Sequence, residues 1–418
     1  MSLKSNRRTF LATSAAIATS GGLSNTSLTA KSYDRILGAN ERLGVGLIGH
    51  GGMGSGHAKT IAGLKESNNL DPIAVADCWK TRADSGAQVT GAPNAYQDFR
   101  KVLDHKEIDY VTIATPEHWH CDMTLAAFDA GKDVYCEKPM THTLEEGVKV
   151  FKKQKQTGRS LQVGVQGMSD DSYISARKAI DDGVLGQVVQ AQIEYVRRYG
   201  EQGPWRVPDL KKDMPKPADL DWNAWLGTAK PVAWNPNHYF EWRNYSSYSG
   251  GIATDLFIHR ITRIMKACNL LYPNRVVGMG GIWQWDDGRD LPDNFEMICE
   301  YPRGMTVYVL GTMSNRVSID HLIRGYRGTL QFTSEGWVAR NKDGEVLAEH
   351  KKSGAEDINL HHSNLHAAIR NGAELNCPVE LGMAGVSAVC MANESWRTGQ
   401  MMGWDPKLEK MVPASQMS

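Results

Sequence analysis

Residues spaced for chemistry appear first at Gly49-His50-Gly51-Gly52-Met53-Gly54, a G-x-G-x-x-G turn that follows the apolar run 42–49. The first glycine of such a turn permits a tight reversal. The second lets the backbone approach a pyrophosphate, and the third lets the next helix pack closely on the strand. The N-terminus of that helix then offers N–H donors to phosphate oxygens. Gly52 and Met53 lie inside the turn and are candidate contacts with it. A second run, Pro72-Ile73-Ala74-Val75-Ala76, ends in Asp77. That carboxylate lies about 20 residues past the glycine turn, where it can accept hydrogen bonds from an adenosine ribose. An acid here favours NAD, since it repels a 2′-phosphate. Lys80 and Arg82 follow closely and can accept such a phosphate, so NADP stays possible. The structural alternative for Asp77 is a helix N-cap.

The elements that must position these groups alternate between strand and helix. Runs 42–49, 72–76, 110–114, 134–136 and 161–166 read as buried strands, and the intervening stretches, 118–130 and 143–158 among them, as helices. Short links between them predict a parallel, doubly wound sheet, whose ligands sit beyond the C-terminal ends of the strands. The glycine turn, Asp77, Thr115-Pro116-Glu117-His118-Trp119-His120 and Glu137-Lys138-Pro139 all fall at such ends.

The glycine turn, TPEHWH and Glu137-Lys138-Pro139 together resemble the Gfo/Idh/MocA family of sugar dehydrogenases, in register from about residue 42 to 166. The resemblance implies a Rossmann domain over 31–166 with cofactor contacts from Gly49, Gly51, Gly52, Met53, Gly54, Asp77, Thr115, Pro116, His118, His120, Glu137, Lys138 and Pro139. It also implies a second α+β domain over 167–418, with a largely antiparallel open sheet. Lys138 would lie beside the nicotinamide and the reacting hydroxyl, disposed to exchange a proton with an alcohol. Pro139 fixes the turn, and its peptide bond can be cis. The family's second catalytic pair, Asp-x-x-x-His after paired glycines, matches Asp255 and His259 after Gly250-Gly251. Their spacing places both on one face of a helix spanning 251–268. His259 is the candidate general base, titrating near neutral pH, and Asp255 would orient substrate or share the proton. No third ligand of suitable type accompanies this pair, so no metal is expected.

Residues 200–249 hold Trp205, Trp222, Trp225, Trp234 and Trp242 with little periodicity, and read as a long structured loop. Most of these indoles should pack the second domain, and one or two should face a sugar. Tyr239 and Arg243 are candidate contacts at its rim. Alternating stretches at 275–285, 294–301, 305–311 and 328–333 suggest the antiparallel sheet, and 362–372 and 382–400 read as helices returning to the first domain. His361, His362 and His366 read as a helix start with a partly exposed face rather than as metal ligands. Related enzymes often associate through the open sheet, so a homo-oligomer, dimer or tetramer, is expected.

Lys+Arg and Asp+Glu are both 47, which removes the charge excess that nucleic acid or an anionic membrane would attract. The seven cysteines form no C-x-x-C pair and read as small buried hydrophobes. No segment is long and apolar enough for a membrane span in the mature chain. The start, Asn6-Arg7-Arg8-Thr9-Phe10-Leu11, resembles a twin-arginine export signal over 1–30, with Leu28-Thr29-Ala30 as the cleavage site and the periplasm as destination. Outside the cytoplasm there is no evident pool of free nicotinamide cofactor. The expectation is therefore an NAD(P)-dependent sugar oxidoreductase that holds its cofactor tightly. One alternative is a glycoside hydrolase using transient C3 oxidation, elimination and hydride return. A second is a sugar-binding protein that keeps the fold without catalysis.

Overall fold

A run of six wholly buried residues, Leu43–Ile48, forms the central strand β1. It needs protein on both faces, as a parallel strand does. The computed structural model describes residues 42–417, apart from Arg303 and Ala355. β2 (Leu70–Ala76), β3 (Asn94–Tyr96), β4 (Tyr110–Ile113), β5 (Asp133–Glu137) and β6 (Leu161–Gly164) join β1 in the order β3-β2-β1-β4-β5-β6. All neighbouring pairs are parallel. The order reverses direction between β1 and β4, and that switch point opens a crevice at the C-terminal strand ends.

A second, ten-stranded sheet is built from β7 (Val188–Val196), β8 (Arg275–Gly281), β9 (Asn294–Tyr301), β10 (Met305–Thr312), β11 (Leu322–Gly325), β12 (Thr329–Thr333), β13 (Gly336–Arg340), β14 (Val346–Lys351), β15 (Met402–Asp405) and β16 (Lys410–Pro413). Its order is β14-β13-β12-β11-β7-β10-β9-β8-β15-β16. Only β7 and β10 pair in parallel. The burial of β9 and β10 alternates strictly, so one face packs on helices while the other is solvated. The helix Val379–Thr398 is buried along most of its length and joins both sheets through one continuous core.

Two expectations need correction. The segment 251–268 is not one α-helix. It opens as a π-helix, Ile252–Phe257, and becomes α-helical at Ile258–Cys268. The histidines of the helix Ile358–Asn371 are not partly exposed: His361 and His362 are wholly buried and His366 nearly so. This helix folds back on the first sheet, and its polar face meets polar groups there. His362 Nε2 pairs with His57 Nδ1 at 2.8 Å, and His366 Nε2 with the Tyr110 hydroxyl at 2.8 Å. Buried imidazoles are tolerated where such partners replace water. The seven cysteines are all free.

Candidate functional site

The crevice at the switch point is a cavity of about 710 Å³ walled by both halves of the described chain. The glycine turn forms its floor. Gly49 sits at φ +89°, and a Cβ there would lie 2.6 Å from the Ala114 carbonyl oxygen. A Cβ on Gly54 would lie 2.1 Å from the Gly49 carbonyl oxygen, so helix and turn meet at glycine distance. Gly51 caps the helix Gly52–Leu64 without any side-chain hydrogen bond, and no acid occupies the first turn. Its leading N–H groups are therefore available to an anion. Gly49, Gly51, Gly52 and Met53 line the cavity; Gly54 acts one layer behind.

Asp77 lines the cavity too, and two backbone donors fix it: His50 N–H and Trp79 N–H, each at 2.8 Å. It does not cap the helix Lys80–Thr90, whose N-cap is Trp79. Arg82 borders the same corner, its guanidinium carbon 4.9 Å from the Trp79 ring and 5.3 Å from the Tyr239 ring. Lys80 instead pairs with Asp84.

Thr115 and Pro116 line the wall, whereas His118 and His120 stand behind it. His118 Nε2 bonds the Trp225 carbonyl at 3.0 Å, and burial pulls its pKa down to about 4. His120 spans two loops: Nδ1 meets the Pro139 carbonyl at 2.6 Å and Nε2 the Thr115 carbonyl at 2.9 Å. Two acceptors require two N–H donors, which only imidazolium supplies. Burial opposes that charge, but Cys136 and the two carbonyls outweigh it and raise the pKa to about 9. Both histidines thus brace the wall and do not form it.

Glu137 ends β5 at the cavity. Its carboxylate accepts from His57 Nε2 at 2.9 Å, from Gln166 Nε2 at 2.8 Å and from the Lys138 N–H at 3.2 Å. Burial alone would raise its pKa, yet the His57 hydrogen bond and charge hold it at about 2. The Lys138–Pro139 peptide is cis. Lys138 turns its ammonium across to the second half of the chain, donating to the Asp255 carboxylate at 2.6 Å and the Asp255 carbonyl at 2.7 Å. The wide π turn places that carbonyl and carboxylate together before one donor. Arg243 Nε donates to the same Asp255 oxygen at 2.9 Å, while its guanidinium lies 4.2 Å from the Trp242 ring. Burial would raise the Asp255 pKa, but Arg243 and Lys138 hold this carboxylate far below its usual range.

His259 departs from expectation. Burial, with the charges of Lys138 and Arg263, drives its pKa down to about 3, so it does not titrate near neutrality. Its Nδ1 is buried with no hydrogen-bond partner, and the nearest carboxylate, Glu356, lies 3.8 Å away. Asp255 and His259 therefore do not form a bonded pair; Asp255 belongs to Lys138 and Arg243.

Of the tryptophans and rim candidates in the long segment, the cavity receives Trp225, Trp242, Tyr239 and Arg243, and Trp205, Trp222 and Trp234 stay off its walls. Trp222 stacks on Trp225, with centroids 4.8 Å apart, and packs a satellite core with Leu220, Tyr239 and Tyr248. The segment is stapled to the first sheet where Trp79 Nε1 donates to Asp219 at 2.9 Å. Trp119 is a wall residue that spacing alone did not single out, although it lies inside TPEHWH. Glu117, in the same motif, is buried and accepts from Ser249 Oγ at 2.7 Å and Gly250 N–H at 3.0 Å. It clamps the first half to the Gly-Gly turn that precedes Asp255. Among the described residues, no group of acids, histidines and cysteines is arranged to hold a metal, and no helix is long and apolar enough to cross a membrane.

An uncapped helix start, two glycine-distance contacts and a carboxylate pinned beside an open corner together fit a dinucleotide. Comparison with known proteins agrees. Residues 43–165 match the GFO_IDH_MocA model, described as an oxidoreductase family with an NAD-binding Rossmann fold. The chain is 35% identical over 143 residues to scyllo-inositol 2-dehydrogenase (NAD(+)) of Bacillus subtilis, covering 34% of this chain and 41% of that protein. It is 27% identical over 227 residues to levoglucosan dehydrogenase of Pseudarthrobacter phenanthrenivorans, covering 53% of this chain and 50% of that one. The matches thus span half or less of these relatives' lengths. A solved levoglucosan dehydrogenase in complex with NADH and levoglucosan superposes with TM-score 0.65 at 19% identity, over 90% of this chain and 100% of that one, so the two-sheet fold is shared.

Proposed function

We propose that this chain, which carries the NAD-binding Rossmann fold of the Gfo/Idh/MocA oxidoreductases at residues 43–165, is an NAD-dependent enzyme that oxidises a hydroxyl-bearing carbon of a sugar or related polyol. The observation that carries this reading is Lys138 Nζ, which sits at a strand end on the cavity wall and is held on the other side by Asp255. NAD, when bound, supplies the acceptor for the hydride of that carbon. Lys138 has three donors, and Asp255 engages two of them. The third is free to polarise the substrate hydroxyl. Asp255, kept ionised by two cations, is too weak a base to take the hydroxyl proton. His259 stands behind the cavity wall rather than on it, but it is neutral and its Nδ1 has no partner, so it is the acceptor this reading assigns. Such weak basicity requires that Lys138 polarise the hydroxyl as His259 takes its proton.

The relatives named above are dehydrogenases, which favours oxidation over the glycosidase alternative. The Arg7-Arg8 segment lies outside the described residues; its pattern supports export by the twin-arginine route to the periplasm. Export in turn supports a retained cofactor that a second substrate re-oxidises in place. Exposed Met279 on β8 and Ile298 on β9 support association through the open sheet. To test the reading, protein purified without added nucleotide is denatured and its released nucleotides identified by mass. Sugars and polyols, singly and in pairs, are then screened with and without NAD. About one equivalent of NAD with turnover of sugar pairs is expected. An empty site that binds NAD only weakly would defeat the retained-cofactor cycle, and failure of every polyol and sugar to reduce NAD would defeat the dehydrogenase reading.

A further inference from the structure

Strand β7 directs Ala191, Ile193 and Tyr195 toward the helix-covered face, where all three are buried. Arg197 continues this alternation just past the strand end, its N–H donating to the Thr312 carbonyl at 2.9 Å. From the helix Ile258–Cys268, Arg260 approaches the same place. The two guanidinium carbons each lie 4.8 Å from the centre of the Tyr195 ring. Arg197 also donates to the Tyr195 hydroxyl.

The nearby carboxylates are already engaged. Asp255 serves Lys138 and Arg243, and Glu356 serves Arg263. Glu194 accepts from His321, from Ser318 and from the Val196 N–H. Among the described residues, neither Arg197 nor Arg260 forms an ion pair, and Arg260 Nε is buried without a hydrogen-bond partner. Burial and neighbouring Arg263 lower the Arg260 pKa from the usual guanidinium range, whereas Tyr195, Tyr199 and the Asp255 charge raise that of Arg197 against its own burial, so Arg260 is the less compensated cation of the two. The site adjoins the reaction centre: β7, which carries Tyr195, packs against the π turn that holds Asp255 and against the helix that carries His259 and Arg260, and the Asp255 charge reaches both Arg197 and Tyr195.

We propose that Arg197 and Arg260, gathered on Tyr195 beside the Lys138–Asp255 pair, form an anion subsite that selects a sugar bearing a carboxylate, a uronic acid. A planar guanidinium matches a carboxylate by two parallel hydrogen bonds, and two such groups stand at one ring. The carboxyl group is held, not transformed; a hydroxyl carbon beside Lys138 is oxidised, its hydride passing to NAD and the hydroxyl proton to His259 as in the reading above. The inference rests on the dehydrogenase reading for its substrate, but its test does not need turnover.

The experiment is calorimetric titration of the NADH-loaded protein with matched aldose and uronate pairs of gluco, galacto and manno configuration, with glucose 6-phosphate as a second anion. In at least one pair the uronate is expected to bind tenfold or more tightly than its aldose. Arg260→Gln and Arg197→Gln are each expected to cut that preference below threefold while NADH affinity stays within twofold. Should Arg260→Gln fail to fold, the exposed Arg197 decides. Three results would overturn the subsite: no uronate binds, aldoses bind as well as uronates, or the preference survives in a folded variant. Tighter binding of the phosphate than of any uronate would overturn the carboxylate assignment. Uronates that bind selectively but never reduce NAD would instead sink the dehydrogenase reading and leave the subsite standing.

Discussion

Lys138 shows how little a residue's type says before its partners are known. A lysine at a strand end can be a solvated cation. Here Asp255 immobilises it against both a carboxylate and a carbonyl, leaving one donor for substrate. Lys138→Met should lower kcat by about 10²- to 10⁴-fold, the usual range when acid–base assistance at the reacting hydroxyl is lost, while NADH affinity changes little. Stopped-flow absorbance with a confirmed substrate measures the first and fluorescence titration the second. A matching loss of NADH affinity would assign Lys138 to cofactor binding instead. His259 was legible as a residue but not as a base of this strength. Its residue type implied a titration near neutral pH; burial and the cations Lys138 and Arg263 move it to about 3. The kcat/KM profile of the free enzyme should accordingly show no acid limb from His259 between pH 5 and 8. An inflection near 6.5 that disappears in His259→Asn would show that the imidazole is not desolvated as described.

At the scale of elements, the strand-to-helix turn is the part most dependent on glycine. Any Cβ at position 54 meets the Gly49 carbonyl at 2.1 Å, and backbone cannot step aside as a side chain can. Gly54→Ala should push the helix Gly52–Leu64 away from β1, costing about 1–3 kcal/mol as overpacking does. It should also weaken NADH binding at least tenfold. Chemical denaturation and NADH titration read these separately, and an unchanged NADH affinity would show that the turn does not contact the cofactor. The turn was readable because its glycines are adjacent in sequence. The π-helix at Ile252–Phe257 was not, since the helical pattern of apolar residues is nearly the same for an α turn. What distinguishes it is a partner from elsewhere: Glu117, over a hundred positions away, holds Thr254, Ser249 and the Gly250 N–H.

Across the whole molecule, stability should depend on pH in two opposed ways. His118 and His361 are held at about 4, and His259 and His366 at about 3, in each case chiefly by burial. The unfolded chain protonates these rings near pH 6.5. Below that value it binds protons that the native state refuses, so stability falls as pH drops from about 6.5 toward 4. His120, raised to about 9, acts oppositely: its contribution is complete below about 6.5 and fades as pH rises through 9. Thermal unfolding followed from pH 4.5 to 9.5 should therefore give a maximum near pH 6–7. His120→Gln should flatten the alkaline side specifically, and an unchanged alkaline side in that variant would refute the imidazolium. Because the cavity draws its walls from the first sheet and from the 221–243 segment of the second half, NADH at a hundredfold its Kd should add about 2.7 kcal/mol to unfolding of the whole. A melt in which NADH protects only part of the transition would show that the two sheets unfold separately.

Local chemistry and periodicity were enough to specify the parallel sheet, the glycine turn and the strand-end positions of Asp77, Thr115 and Glu137-Lys138-Pro139. Those features depend on neighbours in sequence: a turn needs its glycines, a buried strand its apolar run, a strand end its punctuation. Which residues meet across the cavity was decided only by tertiary structure. The backing positions of His118 and His120, the burial of His361, His362 and His366, the Lys138–Asp255–Arg243 junction and the guanidinium groups of Arg197 and Arg260 at Tyr195 all depend on segments far apart in the chain. Burial and the identity of a distant partner set both charge state and accessibility, and neither quantity is a property of a residue's own stretch of sequence.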